Sequence, residues 1–296
     1  MASVAVGPFA SSLEEAVLST IAVLITCHNR RETTLKCLRH LAHQSNIFNC
    51  RVEVFLVVDG CTDGTEEAVR LEFPAVHIIP GDGNLFWAGG MTLAERAASR
   101  LDADYHLWLN DDVALRPSAL DDLTALAAEN GRSAIVAGAT LSQDESLVSY
   151  SGLRLRGRRP TSLVLVPPNG AAQEVDTFHG NVVLIPRKVH ATVGPIDARF
   201  GHAYADNDYG LRARKRGHRI LLLPEAVGTC QPNSSDGSWR DKSLSRQERL
   251  RLLTSRKAKP LYPHWLYISK HSPALVAPII LASSYLKAGA EIVLGR

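Results

Sequence analysis

Short apolar runs recur along the first part of the chain, separated by longer segments in which apolar residues return every three or four positions. The runs span residues 20–26, 52–58, 76–80 and 105–109. Each has the length of one strand, and an unbroken apolar run is typical of a strand covered on both faces of a parallel sheet. Leu35, Leu38 and Leu41 mark a helix between the first two runs. The pattern therefore predicts repeating βα units.

The rest of the chain follows the same alternation less regularly. Helices are predicted over residues 31–44, 66–73 and 91–101, from Pro117 to just before Gly131, and over residues 208–217, with a loop over residues 81–90. Further strands are predicted within residues 135–138, 147–166, 178–185 and 220–223. We therefore expect an α/β fold with a mostly parallel sheet flanked by helices.

The chain is expected to have three regions. Residues 1–19 lack the basic start and sustained apolar run of a secretory signal, which indicates a loosely ordered leader. Residues 20–232 form the predicted α/β domain, and residues 233–296 a helical C-terminal appendage whose polar, basic part, residues 234–259, is expected to be a linker or flexible loop. Residues 273–286 are apolar but shorter than the roughly 20 residues that span a bilayer, so a helix lying on a membrane surface is the favoured membrane interpretation.

Composition narrows the class of protein. With 45% hydrophobic and 21% charged residues, the chain has the composition of a globular protein. The net charge of +3 arises from 33 basic and 30 acidic residues, and this balance gives no indication of a nucleic-acid partner. Five cysteines without a CxxC pair indicate neither a disulfide framework nor a zinc cluster, and we expect a reducing cytoplasm.

Basic residues are concentrated towards the C-terminus. They are Arg240, Arg246, Arg249, Arg251, Arg256, Lys257 and Lys259. Such a cluster can meet an anionic lipid or a diphosphate acceptor, but a basic run is usually a solvated surface. Peripheral contact with the inner face of the cell membrane is therefore the less favoured of two interpretations.

Polar segments follow three of the predicted strands at the point where each strand ends. They are residues 28–30, 59–64 and 110–112. Open parallel sheets bind ligands outside the carboxyl ends of their strands, so we expect these segments to line one site. Asp59 can accept hydrogen bonds from a nucleobase or ribose there, although an Asp-Gly pair is equally typical of a tight turn.

Asn110, Asp111 and Asp112 place carboxylates directly after an apolar strand. Carboxylate oxygens are the ligands that Mg²⁺ and Mn²⁺ prefer, particularly where the cation also binds phosphates. Asp112 is the first candidate for a metal ligand. The alternative is that these residues form an N-cap or an Asx turn before Pro117.

Asp206 and Asp208 stand at the beginning of a predicted helix. Acidic residues in this position commonly cap the helix. The alternative is that Asp206 is a general base, which must lie within hydrogen-bond reach of the hydroxyl that it deprotonates.

A glycine-rich segment with two aromatic residues precedes another predicted helix, at residues 81–90. Backbone amides at Gly89 and Gly90 can face an anion at the start of that helix, and Trp87 can stack on a sugar ring or pack in the core. His179 and Asn181 stand at the start of a strand where an acceptor can lie, but a single histidine is more often a structural hydrogen-bonding residue.

Four landmarks in the sequence resemble those of the family-2 glycosyltransferases with the GT-A fold, particularly bacterial rhamnosyltransferase-like members that build cell-surface polysaccharide. They are residues 26–30, 57–65, 109–112 and 206–212, in the family's order. The resemblance covers roughly residues 21–230. The set is far more specific than any one of its members.

The resemblance implies a GT-A type nucleotide-binding sheet and gives roles to individual residues. Asp206 would be the catalytic base, and Asp111 and Asp112 would belong to the motif that holds the divalent metal, Mg²⁺ or Mn²⁺. The candidates for donor binding are Thr26, Asn29, Arg30, Asp59, Asn84, Trp87, Gly89, Gly90, Asn110 and Asp111, and those for acceptor binding are His179, Asn181 and Asp208.

The implied reaction is a direct displacement. The cation and nearby positive groups neutralise the diphosphate as it leaves, while Asp206 takes the proton of the attacking hydroxyl. Configuration inverts at the anomeric carbon, and no glycosyl-enzyme intermediate is expected. The expected donor is a nucleotide-diphosphate sugar, such as dTDP-rhamnose or a UDP-sugar, and the expected acceptor is a saccharide or a lipid-linked saccharide.

Two positions depart from the family pattern. Asn110 stands where many relatives have an aspartate, and residues 228–233 contain no histidine where many relatives place one that helps to hold the metal. These departures leave open a sugar-nucleotide-binding protein without catalysis. A nucleotidyltransferase is a further alternative, but the glycine-rich, basic motif usual for that class does not precede Glu32.

Overall fold

A ten-stranded mixed sheet and a separate three-stranded sheet organise the computed structural model, which describes residues 19–44, 50–256 and 258–294. The predicted leader lies outside the described residues, apart from Ser19. The strands are β1 (Ser19–Cys27), β2 (Cys50–Asp59), β3 (His77–Gly81), β4 (Tyr105–Leu109), β5 (Ala114–Leu115), β6 (Ile135–Leu141), β7 (Val148–Tyr150), β8 (Gly152–Leu155), β9 (Leu163–Leu165), β10 (Gln173–Glu174), β11 (Thr177–Phe178), β12 (Val182–Pro186) and β13 (Ile220–Thr229).

The large sheet has the order β10-β13-β6-β12-β4-β1-β2-β3, with β5 paired to β13 and β7 to β6. Strands β4, β1, β2 and β3 are parallel neighbours. Strand β12 is antiparallel to both β4 and β6, whereas β13 is parallel to β6. The prediction of an α/β fold with a mostly parallel sheet flanked by helices is confirmed.

Helices cover both faces of this sheet. They are α1 (Arg31–Ala42), α2 (Thr65–Glu72), α3 (Phe86–Ala98), α4 (Ala119–Glu129), α5 (Arg187–Val193), α6 (Ala205–Lys215), α7 (Arg246–Leu253), α8 (Leu261–His271) and α9 (Ala277–Val293). Successive side chains of β1 pack into two different apolar clusters, one on each face of the sheet, because side chains alternate along a strand. Ala22 and Leu24 pack on the face with α3 and α6, while Ile21 and Val23 pack on the face with α1 and α4.

Three predicted elements are wrong, and the first two bear on the site. Residues 81–90 were expected to be a loop throughout, but α3 already begins at Phe86, so Gly89 and Gly90 are helical. Helix α6 begins at Ala205 rather than at residue 208, so Asp206 lies in its first turn. Residues 234–259 were expected to be a linker, yet they contain α7, which begins with a capping box between Ser245 and Glu248.

The C-terminal helices share the core of the preceding domain. Tyr267 and Ile268 of α8, and Ala277 and Ile280 of α9, belong to the same apolar cluster as Ala22 of β1. Among the described residues, no helix combines the length and the apolar character needed to cross a bilayer. The boundary between residues 232 and 233 remains a prediction.

Candidate active site

The carboxyl ends of β4, β1 and β2 meet at one edge of the sheet. These strands are adjacent and parallel, so the residues that follow them are neighbours. Asn110, Asn29 and Asp59 come from three different strands and lie along this edge. The structure thus brings together the three polar segments that the sequence placed at strand ends.

Asp59 holds the backbone at the start of α3, next to this edge of the sheet. Its side chain is buried, with the residue 3% exposed. Its Oδ1 accepts a hydrogen bond from the backbone N–H of Gly83 at 2.7 Å, and its Oδ2 accepts from the N–H groups of Leu85 at 3.0 Å and Phe86 at 3.3 Å. Through these bonds Asp59 fixes the start of α3. Its role in donor binding stays a prediction.

Asn29 ties the first two strand-end loops together. It lies in the left-handed region, with φ of 50°, which asparagine tolerates better than most residues. Its Oδ1 accepts a hydrogen bond from the backbone N–H of Thr62 at 2.8 Å, and its own N–H donates to Sγ of Cys61 at 3.1 Å. Asn29 is exposed at this edge of the sheet.

Arg30 bridges the two carboxylates that follow β4. Its Nη1 donates to Oδ1 of Asp111 at 2.8 Å and to Oδ2 of Asp112 at 3.0 Å. The Arg30 side chain is 45% exposed, while that of Asp111 is only 6% exposed. Burial raises the pKa of Asp111 to about 6, and the positive charge of Arg30 opposes the rise.

The same two carboxylates fit a divalent cation. Oδ2 of Asp111 is buried and has no hydrogen-bond partner, which is costly for a polar atom unless a ligand satisfies it. A cationic group already lies between the carboxylates in the form of the Arg30 guanidinium. Two hard oxygen donors around a position that favours positive charge suit Mg²⁺ or Mn²⁺.

Cys230 contacts Asp112, and Asn181 contacts Cys230 in turn. The Cys230 thiol donates to Oδ1 of Asp112 at 3.3 Å. Burial and the Asp112 carboxylate both raise the pKa of this thiol. The side-chain amide of Asn181 donates to the Cys230 sulfur at 3.6 Å and is buried. Asn181 therefore lies against the predicted metal motif, and its role in acceptor binding stays a prediction.

Trp87 connects the carboxylate segment to Asp206. Its indole N–H donates to Oδ1 of Asn110 at 2.8 Å. Its ring lies so close to Gly180 that a Cβ on Gly180 would be 2.6 Å from a ring carbon. The backbone N–H of Gly180 in turn donates to Oδ2 of Asp206 at 3.0 Å. Trp87 is thus placed between the proposed metal ligands and the proposed base.

His179 neighbours Asp206. Burial lowers the pKa of His179, against the opposing charge of Asp206. Its Nδ1 accepts a hydrogen bond from the backbone N–H of Ser151 at 3.3 Å. The half-buried His179 and Asp206 therefore lie side by side, where an acceptor hydroxyl can meet a carboxylate.

Asp208 has a structural role. It is 0% exposed, forms ion pairs with Arg212 at 2.8 Å and Lys270 at 2.7 Å, and accepts a hydrogen bond from Nε2 of His271 at 2.8 Å. These contacts fasten the end of α8 to α6. The role of Asp208 in acceptor binding stays a prediction.

The glycine-rich segment approaches β1 closely. A Cβ on Gly90 would be 2.1 Å from Oγ1 of Thr26, and one on Gly89 would be 3.2 Å from Cβ of Leu85. Glycine at position 90 therefore allows α3 to lie against the end of β1. Asn84, just before the helix, is exposed, and its N–H donates to Oδ1 of Asp82 at 2.9 Å.

A second group of metal-binding residue types lies away from this edge. Among the described residues, one group of three or more such side chains has ligand atoms that all lie within 4.8 Å of one another: Glu95, His106 and His190. His106 precedes Asn110 by four strand positions, or about 13 Å at the usual rise. Nε2 of His190 is 2.6 Å from Oε1 of Glu95, so a hydrogen bond joins two of these three side chains.

A family model described as "Glycosyltransferase like family 2" matches residues 19–253. N-acetylglucosaminyl-diphospho-decaprenol L-rhamnosyltransferase of Mycobacterium tuberculosis is 26% identical over an alignment of 214 residues, and the match covers 64% of this chain and 69% of that protein. The match to the family model takes in the strand-end segments, Asp206, Cys230 and α7.

Solved structures share the fold at low sequence identity. A mannosyltransferase from Pyrobaculum calidifontis, in complex with GDP-Man and Mn²⁺, has a TM-score of 0.57 and 18% identity over 93% of this chain and 73% of its own. TarS 1-349 from S. aureus, in complex with UDP, has a TM-score of 0.53 and 14% identity over 92% of this chain and 72% of its own. These likenesses concern the fold.

Proposed function

Since this chain belongs to the glycosyltransferase like family 2, we propose that it is an inverting, metal-dependent enzyme that moves a sugar from a nucleotide-diphosphate donor to a hydroxyl group. One observation carries the proposal. Asp111 and Asp112, with the Arg30 guanidinium between them, are connected to Asp206 through Asn110, Trp87 and Gly180. Transfer from such a donor requires a cation site for the diphosphate and a base for the attacking hydroxyl.

The donor is proposed to bind across the ends of β1 and β4. Asn29 and Arg30 contribute exposed polar groups there, and Trp87 contributes an aromatic surface. The relative named as an L-rhamnosyltransferase supports an activated rhamnose, such as dTDP-rhamnose, as the first candidate. A UDP-sugar is the second candidate, supported by the fold shared with TarS bound to UDP.

Asp111 and Asp112 are proposed to hold Mg²⁺ or Mn²⁺. When bound, the cation supplies positive charge to the diphosphate as it departs. Arg30, half exposed and adjacent to both carboxylates, is positioned to turn from them towards the diphosphate. The chain therefore offers a second positive group for the leaving phosphates.

Asp206 is proposed to accept the proton of the acceptor hydroxyl. Its Oδ2 is held by the N–H of Gly180, which fixes the carboxylate in front of His179 and Trp87. Attack from this side on a donor whose diphosphate lies at Asp111 and Asp112 displaces the leaving group directly. Direct displacement inverts the anomeric centre, and no second carboxylate is needed as a nucleophile.

The acceptor is proposed to be a saccharide or a lipid-linked saccharide in cell-surface polysaccharide synthesis. The name of the M. tuberculosis relative includes a diphospho-decaprenol acceptor. Helix α9 of this chain exposes Ile279, Leu286 and Val293, which recur every seven residues and so share one face. This face points away from the buried side of the helix, and Lys287 beside it is exposed. We propose that it lies on an anionic membrane.

Co-sedimentation with vesicles tests this contact. Wild-type protein should bind vesicles that contain phosphatidylglycerol and bind neutral vesicles more weakly. Leu286→Glu should reduce binding, whereas Leu71→Glu, at an exposed apolar residue of α2, should not. Equal binding by both variants would remove the membrane from the proposal and leave a soluble saccharide as the acceptor.

Donor binding is the main test of the proposed function. In a thermal-shift screen against UDP-, GDP-, CMP- and dTDP-sugars, each with and without Mn²⁺, one nucleotide class should raise the midpoint more in the presence of metal. Release of the free nucleotide diphosphate with an acceptor then demonstrates transfer. Binding without transfer to any acceptor would favour a sugar-nucleotide-binding protein, and absence of binding would contradict the proposal.

A further inference from the structure

Glu95, His106 and His190 form a cluster of metal-binding residue types that the proposed reaction does not use. They stand on α3, β4 and α5. One ligand atom of each side chain lies within 4.8 Å of the ligand atoms of the other two. The rings of His106 and His190 pack edge to face, with their centroids 4.5 Å apart. Three ligand atoms from three different elements therefore converge on one place, the Glu-His-His cluster.

The carboxylate of Glu95 is held in place from two sides. The residue is only 6% exposed. Its Oε1 is 2.6 Å from Nε2 of His190, and its Oε2 accepts a hydrogen bond from the backbone N–H of Ile196 at 3.3 Å. Outer hydrogen bonds of this kind orient a carboxylate that binds a metal. A buried carboxylate also calls for a positive charge beside it, which a neutral imidazole does not supply and a metal cation does.

His106 provides a second, independent indication of a ligand. Its Nδ1 is buried and has no hydrogen-bond partner, which is uncommon for a buried polar atom and costs free energy. The two nitrogens of an imidazole are separated by a single ring carbon. The unpartnered Nδ1 is therefore either the atom that faces Glu95 and His190 or the next atom but one.

The charge state of His106 suits a metal ligand. Burial, followed by the neighbouring His190 and Arg187, lowers the pKa of His106 to about 4. The ring is thus neutral at pH 7, as an imidazole must be to bind a metal. The positive charge of Arg187 is itself paired, because its Nη1 lies 2.5 Å from Oδ1 of Asp102.

We propose that Glu95, His106 and His190 bind a Zn²⁺ ion, distinct from the cation of the transfer reaction, and that this ion joins α3 to β4 and α5. Two imidazoles and one carboxylate are a set of ligands that zinc uses, whereas Mg²⁺ prefers oxygen ligands. His190 binds through Nε2, with its proton on Nδ1. Its side chain is 25% exposed, so a water molecule can reach the fourth position.

The distances in the cluster are close to those that zinc requires. Bonds of about 2.0–2.2 Å to a tetrahedral zinc ion place neighbouring ligand atoms roughly 3.4 Å apart. The hydrogen-bonded pair of Glu95 and His190 is now 2.6 Å apart, and no two of the three ligand atoms are more than 4.8 Å apart. The required separation lies within this range, so small rotations of the side chains reach it.

The position of the cluster in the fold gives the ion a structural role. Helix α3 begins at Phe86, next to the strand-end edge, and β4 ends at Leu109, directly before the segment that carries the two carboxylates. Glu95 and His106 stand on these two elements. A zinc ion between them would hold α3 and β4 together, and its binding free energy would add to the stability of the fold.

Zinc titration of the full-length, metal-free protein tests the site. Calorimetry is carried out in excess Mg²⁺, which suits the oxygens of Asp111 and Asp112 but not imidazole nitrogens. His190→Gln removes the ligand nitrogen and keeps an N–H group that can donate to Glu95. It should bind Zn²⁺ at least about tenfold more weakly than wild type, since even outer-shell changes commonly cost that much. His106→Gln should have the same effect.

His77→Gln is the matched control. Nε2 of His77 is 2.9 Å from Oε2 of Glu53, so the same two residue types are paired there, but no third such ligand atom among the described residues joins them. The zinc affinity of His77→Gln should equal that of wild type. Zinc should also raise the thermal midpoint of wild type and of His77→Gln, and raise that of His190→Gln less.

Two results would overturn the proposal: a wild-type protein that binds no zinc, or a His190→Gln protein that binds zinc as tightly as wild type. If the buried change His106→Gln prevents folding, His190→Gln decides, because its side chain is partly exposed. A protein that loses zinc binding in His190→Gln but binds no nucleotide sugar would confirm the zinc site and contradict only the proposed function.

Discussion

Trp87 donates its indole N–H to the side-chain oxygen of Asn110 at 2.8 Å. This bond joins the first turn of α3 to the segment that carries Asp111 and Asp112. It also accounts for a neutral residue at position 110, because an amide oxygen is sufficient to accept from an indole. The ring of Trp87 packs against Gly180, so one side chain reaches from the proposed cation site to the base.

Trp87→Phe keeps an aromatic ring and removes the N–H. We expect the donor Kd to rise by up to about fivefold, because the ring loses the bond to Asn110 that orients it towards the donor, and a hydrogen bond is worth about 1 kcal/mol. Titration calorimetry with the donor measures the change. Trp265→Phe, on the exposed surface of α8, should leave the Kd unaltered. An unaltered Kd in Trp87→Phe would contradict the placement of this side chain at the donor.

Asp206→Asn removes the proposed base and keeps the size of the side chain. We expect kcat to fall by about 10² to 10⁴, the range for the loss of a general base, while the donor Kd stays at its wild-type value. Steady-state kinetics and titration calorimetry give the two values separately. Loss of donor binding would assign Asp206 to the donor site instead.

Asp208→Asn should act on stability. The change leaves Arg212, Lys270 and His271 around a buried neutral side chain, and breaking a buried ion pair in this way costs about 3–5 kcal/mol. The free energy of unfolding in urea should fall by that amount, whereas Asp206→Asn should leave it nearly unchanged. Equal stability of the two variants would contradict the structural role of Asp208.

The pair Asp206 and Asp208 illustrates what sequence can and cannot predict. Both residues are acidic and stand at the start of one helix, and nothing in their types separates a base from a structural anchor. Side chains that are two residues apart along a helix point in directions about 200° apart. Once α6 begins at Ala205, Asp206 faces Gly180, and Asp208 faces Lys270 and His271 of α8. Their roles depend on distant residues.

The strands were predictable for a simpler reason. A strand covered on both faces has no polar position to interrupt it, and residues 21–25 of β1 are all fully buried. The start of α3 was not predictable, because Gly89 and Gly90 have low helix propensity. Packing of Gly90 on Thr26 selects glycine there, so a tertiary contact overrides the local preference.

Gly90→Ala tests that contact. The added methyl group would lie 2.1 Å from Oγ1 of Thr26, so we expect the unfolding free energy to fall by about 1–3 kcal/mol, as for other overpacked sites. Gly289→Ala is the control. Gly289 lies within α9 with nothing near its Cβ position, and alanine there should stabilise the helix by about 0.5–1 kcal/mol. Urea denaturation measures both, and a Gly90→Ala protein as stable as wild type would contradict the close approach.

Asp111 should make the metal-free protein less stable as the pH rises. Burial raises its folded-state pKa to about 6, against the opposing charge of Arg30, whereas an aspartate in an unfolded chain has a pKa of about 3.9. The folded state therefore holds this proton more tightly. Its contribution to stability is fully present below the unfolded pKa and is lost as the pH rises through about 6, by an amount on the order of 3 kcal/mol.

Urea denaturation of the protein in EDTA, between about pH 4 and pH 7, measures this loss against Asp111→Asn, which lacks the titrating group. The difference between the two stability curves should fall across this window and level off above it. Because a proton and a cation compete for the same carboxylate, Mn²⁺ affinity of the wild-type protein should weaken by up to tenfold per pH unit below about 6. A difference curve that stays flat would mean that Asp111 is already ionised at pH 4, and the buried, unsatisfied oxygen would then need another explanation than a site awaiting a cation.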